Sequence, residues 1–288
     1  LDKLQYSMKI LIREGSAAKN FEALIPLMHE HYNNIMFCTD DMHPDSLVEG
    51  HINNLCARAV DNGIDVFKVL QAACINPVQH YKLDVGLLQM GDAADFIVVK
   101  DLKAFKVVQT YVNGVLVAEE GITKINRLSS GTINQFNCSK KEQKDFETFW
   151  NGESTIPVIE ALDGQLITNK LMLPPKVEDG KIISDSQNDV LKIVVVNRYN
   201  EAPTAKAFIK SFGFKRGAIA STVAHDSHNI VAVGVDDESL MRAVNLVIEK
   251  EGGVSCVDGA EETVLPLPVA GLMSAEDGYA VAKQYSDI

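Results

Sequence analysis

No stretch of this 288-residue chain approaches the eighteen or so consecutive apolar residues that a membrane-spanning helix requires. No secretory leader is visible either, so the chain reads as a cytoplasmic protein with no membrane partner. The five cysteines, Cys38, Cys56, Cys74, Cys138 and Cys256, are odd in number and widely spaced, with no Cys-x-x-Cys. Reduced thiols are the simplest reading of that pattern. Basic residues are also in short supply: 27 Lys and Arg against 39 Asp and Glu leave a formal charge of −12. Binding a phosphate backbone needs a clustered basic surface, and Lys140-Lys141 and Lys215-Arg216 are too short to supply one, so nucleic acid is excluded as a partner.

What the chain does have is an ordinary core composition, 46% apolar, and enough length for roughly two domains. Residues 1–83 read as two β/α units. A buried-strand run at 8–12 is followed by a helix over about 16–29, interrupted near Pro26, and then by a second strand at 35–39. Two helices follow. One covers about 50–60 and is ended by Asn62-Gly63, and the other runs from Asp65 to Asn76-Pro77. Two such units cannot close a barrel alone, so their neighbours must come from elsewhere. Residues 84–134 read as short antiparallel strands with a type I′ turn at Asn113-Gly114. From 135 to 151 a charged helix or linker leads into a second α/β unit, 135–288. Hairpin turns are expected there at Asp163-Gly164 and Asp179-Gly180, strands at 190–196, 218–223 and 230–235, and helices at 204–212 and 237–251.

The segment Ile35-Met36-Phe37-Cys38-Thr39-Asp40-Asp41-Met42-His43-Pro44 carries the most chemistry: an apolar strand ends in a hydroxyl residue and two carboxylates. In parallel α/β proteins the residues just past a strand's carboxyl end face the active-site mouth, which makes Asp40 or Asp41 a site candidate. The competing role is capping of the helix that opens at Asp45. Arg13 and Glu14 follow the preceding strand in the same way and either bind substrate or pair with neighbouring loops, while Ser16 is expected to cap the next helix. His225-Asp226-Ser227-His228-Asn229 is a polar loop between two apolar strands. A turn accounts for Asp, Ser and Asn, but two imidazoles exceed what a turn requires, so His225, Asp226 and His228 are candidates for substrate or metal contact. His51 is expected to pack on its helix, and His29-Glu30-His31 to be a solvated helix end.

Strand, aspartate, two helices and then a small antiparallel set opened by Gly91-Asp92-Ala93-Ala94-Asp95-Phe96-Ile97-Val98-Val99 resembles the end of an amidohydrolase-superfamily (β/α)8 barrel returning to its β-sandwich. More narrowly, "IREGSAAKNFEAL" at 12–24, "FCTDDMHPDSLVEGHINNLCARA" at 37–59, "FIKSFGFKRGAIASTVAHDSHNIVAVGVDDE" at 208–238 and "LPLPVAGLMS" at 265–274 resemble the adenine deaminase family over nearly the whole chain.

The resemblance implies the last two β/α units of a metal-dependent hydrolase barrel at 1–83, a β-sandwich segment at 84–134 and the family's carboxyl-terminal α/β domain at 135–288. It also implies hydrolytic deamination of free adenine to hypoxanthine and ammonia, in purine salvage, by a homo-oligomeric enzyme. The expected cofactor is a dinuclear pair of divalent transition metals, manganese or iron. By the superfamily pattern the ligand follows Thr39 directly, which selects Asp40 as metal ligand and catalytic group and gives Asp41 a supporting role. The "AHDSHN" loop is expected to close over the base. The family's His-x-His pair, bridging acid and two further histidines cannot be placed here, and His29-Glu30-His31 stands in the wrong order. The chain therefore reads as a carboxyl-terminal half whose amino-terminal half is missing, inactive alone. The signature of nucleotide-acting zinc deaminases, His-x-Glu with a later Pro-Cys-x-x-Cys, is absent, which agrees with a free base as substrate. Alternatives from other classes are a non-catalytic lid or assembly module, or another amidohydrolase activity such as cyclic-amide hydrolysis.

Overall fold

Strand β1 (Ile10–Arg13) lies parallel to β2 (Ile35–Cys38), with Ile10 opposite Ile35 and Arg13 opposite Cys38. The computed structural model to which they belong describes residues 1–128 and 131–288, in two compact units, 1–128 and 129–288. Residues 129–130, inside the segment 84–134 expected from sequence, lie outside the described residues. Ile35, Met36 and Phe37 are all buried, as a parallel strand covered on both faces demands. Among the described residues β1 and β2 pair only with each other, and no barrel closes.

The connection between these strands is shorter in helix than expected. It consists of helical turns at Phe21–Leu24, Ile25–Leu27, Met28–His31 and Tyr32–Asn34. Residues 14–20 are instead a tight loop: Asn20 Oδ1 accepts from the Arg13 N–H at 2.8 Å, and Gly15 N–H donates to Ala18 O at 3.0 Å. Ser16 is therefore not a helix cap. Phe21, Ile25 and Met28 form a core with Ile12, Ile35, Phe37, Leu55, Ala59 and Val69. After β2 come helices Pro44–Glu49 and Ile52–Asp61.

The next helix starts where expected, with Asp65 accepting from Phe67 and Lys68 N–H, but it does not stop at Asn76-Pro77. A π-type turn, Gln71–Ile75, widens it, and Asn76–Tyr81 continues with Pro77 in a first turn, where its missing N–H is tolerated. Buried Asn76 donates to Tyr32 O and Ile35 O at 2.7 and 2.8 Å, tying this helix to the foot of β2. Strands β3 (Phe96–Val99), β4 (Val107–Val112), β5 (Val115–Glu119) and β6 (Ile122–Thr123) form an antiparallel sheet in that order. Asn113 and Gly114 link β4 and β5 with φ of 50° and 75°, the two positive values of a type I′ turn.

The second unit is built on eight strands: β7 (Ile156–Ala161), β8 (Thr168–Leu173), β11 (Val190–Val196), β12 (Ala205–Lys210), β13 (Ala218–Ser221), β14 (Ile230–Gly234), β15 (Gly253–Asp258) and β16 (Glu261–Pro266). Their order is β16-β15-β13-β14-β11-β12-β7-β8, antiparallel except for β12 on β7. A separate hairpin of β9 (Lys176–Glu178) and β10 (Lys181–Ile183) turns through Asp179 and Gly180, at φ 49° and 73°. Helix Asp237–Glu249, capped by Asp236, buries Leu240, Ala243, Val244, Val247 and Ile248 together with Val194, Ala220, Ile230 and Val257 of the sheet.

One expectation fails here: residues 204–212, expected as a helix, hold strand β12 at Ala205–Lys210. Ala and Lys favour helix, yet this segment lies between β11 and β7, which satisfy its backbone on both sides. Residues 135–151, expected as a charged helix or linker, hold one short turn, Gln143–Phe146, rather than a continuous helix, and the fully buried Phe146 ring anchors it.

Candidate active site

Because β1 and β2 are parallel and in register, residues 13–17 and 39–43 leave the sheet side by side. Thr39 is buried, and its Oγ1 lies 2.9 Å from His51 Nε2. Asp40 turns the chain with φ 49°, a left-handed value that Asp tolerates better than most residues. Its side chain stays 52% exposed and meets Arg13 Nη1 at 3.2 Å. Asp41 does the opposite. It is 12% exposed, accepts from Ala17 N–H at 3.1 Å and meets Arg13 Nη2 at 3.2 Å. Burial pushes the Asp41 carboxyl up, but the Ala17 N–H and the Arg13 guanidinium together outweigh it, so its pKa falls below the usual carboxylate value.

Gly15 makes room for this arrangement: a Cβ there would stand 1.8 Å from Asp41 Oδ1. Ser16 Oγ accepts from His43 N–H at 2.9 Å, fixing the far end of the 39–43 loop. Glu14 turns away from the aspartates and pairs with Arg58 at 2.8 Å; Arg58 also reaches Glu22 and stacks over the Phe21 ring at 4.0 Å. The Cys38 thiol is raised, first by burial and then by the Asp40 charge. The loop after β1 is thus a cradle for Asp41, and Asp40 is the carboxylate left facing outward. Sequence reasoning placed Arg13, Asp40 and Asp41 together but missed Gly15 as the space for Asp41, the Thr39–His51 contact and the Glu14–Arg58 pair. These contacts span 12 to 44 residues of sequence, and no local pattern encodes them.

Among the described residues no three His, Cys, Asp or Glu side chains converge where they could hold a metal ion. Of His29-Glu30-His31, expected as a solvated helix end, His29 and Glu30 are exposed and His31 is half-buried in the turn Met28–His31. The described residues therefore complete no metal site by themselves. In the second unit His225, Asp226 and Ser227 are exposed on the β13–β14 loop. The His225 and His228 rings meet edge to face at 5.4 Å, and His228 Nδ1 is buried without a hydrogen-bond partner.

Residues 5–117 match the Amidohydrolase family, and residues 165–288 match the Adenine deaminase C-terminal domain. An adenine deaminase of Salinibacter ruber is 54% identical over 287 residues, 99% of this chain and 52% of the relative. Those of Borreliella burgdorferi and Methanosarcina barkeri are 48% and 46% identical over 98% and 100% of the chain. The chain belongs to the adenine deaminase family. It spans about half the length of the curated relatives it matches, 52% to 54%. Membership in the amidohydrolases implies a divalent metal. Among the described residues, no helix is long and apolar enough to cross a membrane.

Proposed function

We propose that this chain supplies part of an active site that hydrolyses adenine to hypoxanthine and ammonia, serving purine salvage in the cytoplasm. Residues 1–83 are read as the closing units of the barrel, 84–134 as a β-sandwich segment and 135–288 as the family's carboxyl-terminal domain, in a homo-oligomeric enzyme. The observation that carries the catalytic reading is the contrast between two adjacent carboxylates: Asp41 is consumed by its cradle, while Asp40 stays exposed at the strand end.

Asp40 is proposed as the metal ligand of this chain, with manganese or iron as a pair and the remaining ligands from sequence outside it. When bound, such a metal lowers the pKa of a water so that a nucleophile exists near neutral pH. Asp40 would take a proton from the attacking water and pass it to the ring or the departing amine. Arg13 and Asp41 hold its loop, Glu14 braces it through Arg58, and His225, Asp226 and His228 are assigned to substrate contact or its support.

The test is Asp40→Asn against Asp41→Asn in a protein of the relatives' full length carrying these residues. Asp40→Asn is expected to lower kcat on the order of 10³-fold or more, while Asp41→Asn, which keeps one oxygen acceptor, loses less. Near-normal turnover in Asp40→Asn with a dead Asp41→Asn reverses the assignment.

A further inference from the structure

The second unit buries a cation with no anion beside it. Arg198, directly after β11, is 3% exposed, and among the described residues no carboxylate pairs with it. An arginine cannot shed its proton inside a protein, so its charge must be met by acceptors on every N–H. That condition is satisfied in full. Nε donates to His228 O at 2.6 Å; Nη1 donates to Asn134 Oδ1 and Gln135 O at 2.9 and 3.0 Å; Nη2 donates to Tyr199 Oη and Ala270 O at 3.0 and 2.7 Å. The guanidinium also stacks on Tyr199, 4.5 Å from the ring centre. Gly271 is shaped around it, since a Cβ there would stand 2.8 Å from Nη1.

Four of the five donors thus reach segments 134–135, 228 and 270 from one rigid plane, the fifth meeting the adjacent Tyr199 hydroxyl, and two of those segments lie in the polar loop 225–229 and the turn after β16. The loop is tied to the same point twice more: Asn229 Oδ1 accepts from Arg198 N–H at 3.3 Å, and Tyr199 Oη donates to Ser227 O at 3.3 Å. His228 itself sits at φ 49°, a left-handed backbone state uncommon for residues other than glycine.

We propose that Arg198 is the positioning residue of the 225–229 loop, holding His228 by its carbonyl so that the two imidazoles are presented in one arrangement. The consequence for turnover rests on the assignment of His225 and His228 to substrate contact; the ordering of the loop does not. Lysine, with three donors on one point, cannot replace the fork.

Hydrogen exchange on the 288-residue chain reads the ordering directly, because the His228 and Asn229 amides bond to Ala224 O and Ser227 Oγ. Arg198→Lys is expected to speed exchange at both amides tenfold or more while the amides of helix Asp237–Glu249 keep their rates. Tyr199→Phe, which removes one hydroxyl and preserves the core, is expected to act in the same sense and more weakly. Unchanged rates at His228 and Asn229 in both variants, or acceleration spread equally through the helix in both, overturn the proposal. In the full-length enzyme Arg198→Lys should lower kcat/KM tenfold or more. If loop exchange rises while kcat/KM stays constant in Arg198→Lys and in His228→Ala, the positioning role stands and the substrate-contact reading falls.

Discussion

Replacing Gly15 by alanine adds one methyl group at the most crowded point of the strand-end cradle. Its carbon would lie 1.8 Å from Asp41 Oδ1, 3.0 Å from Asp41 Cγ and 2.9 Å from Thr39 O. The carboxylate is the movable neighbour, so it must swing away and give up its contacts to Ala17 N–H and Arg13. Hydrogen bonds to a charged group contribute about 1.5–3 kcal/mol each, less where solvent screens them, as at the 27%-exposed Arg13 side chain. With partial relaxation the expected loss is about 2–3 kcal/mol, a fall in Tm of roughly 5–10 °C. The assay is thermal or urea unfolding of Gly15→Ala, Asp41→Ala and the double variant. If Asp41 is the clashing group, Gly15→Ala costs at least about 1 kcal/mol less once Asp41 is already alanine. Equal penalties in both backgrounds, within about 0.5 kcal/mol, would refute the cradle as the reason for glycine.

The 288-residue chain alone is expected to release no ammonia from adenine in steady-state assays with added manganese or iron, since a single carboxylate leaves a transition metal short of its ligands; ordinary turnover would show that its own residues complete a site. His225→Ala and His228→Ala, made separately in the full-length enzyme, should each lower kcat/KM tenfold or more, about 1.4 kcal/mol of transition-state stabilisation, with folding intact; unchanged values in both remove the loop from substrate contact. Glu201 is hydrogen-bonded by the Ser139 side chain, pairs with Lys141 and accepts from Ser139 N–H, contacts that pull its carboxyl down to about 2. A depressed acid stabilises above its unfolded pKa and loses that contribution as pH falls through the folded one, so this contact should persist through pH 4 and be lost only toward pH 2. Carboxyl NMR titration of Glu201 measures it, and a midpoint in the ordinary glutamate range would contradict the contact.

Much of this protein was legible in the residues themselves. The β2 run is apolar at every position, and a parallel strand buried on both faces needs that; β1 is nearly as apolar, yet of its residues only Ile12 is buried and Leu11 stays exposed. Asn113-Gly114 and Asp179-Gly180 are pairs whose backbones tolerate two positive φ values, so those hairpins follow from local chemistry. The family, too, was readable from motifs spread along the chain.

Tertiary structure decided what those local rules leave open. Residues 204–212 carry helix-forming alanine and lysine, yet they became a strand because flanking strands on both sides supply their hydrogen bonds. Asp40 and Asp41 are chemically identical neighbours in sequence. Only the fold separates them, by folding Gly15 and Ala17 against one carboxylate and leaving the other exposed. No local motif marks Arg198 in the sequence. It became a buried hub because oxygens from segments up to 72 residues away in sequence converge on its five donors, a coincidence in space that no local pattern records.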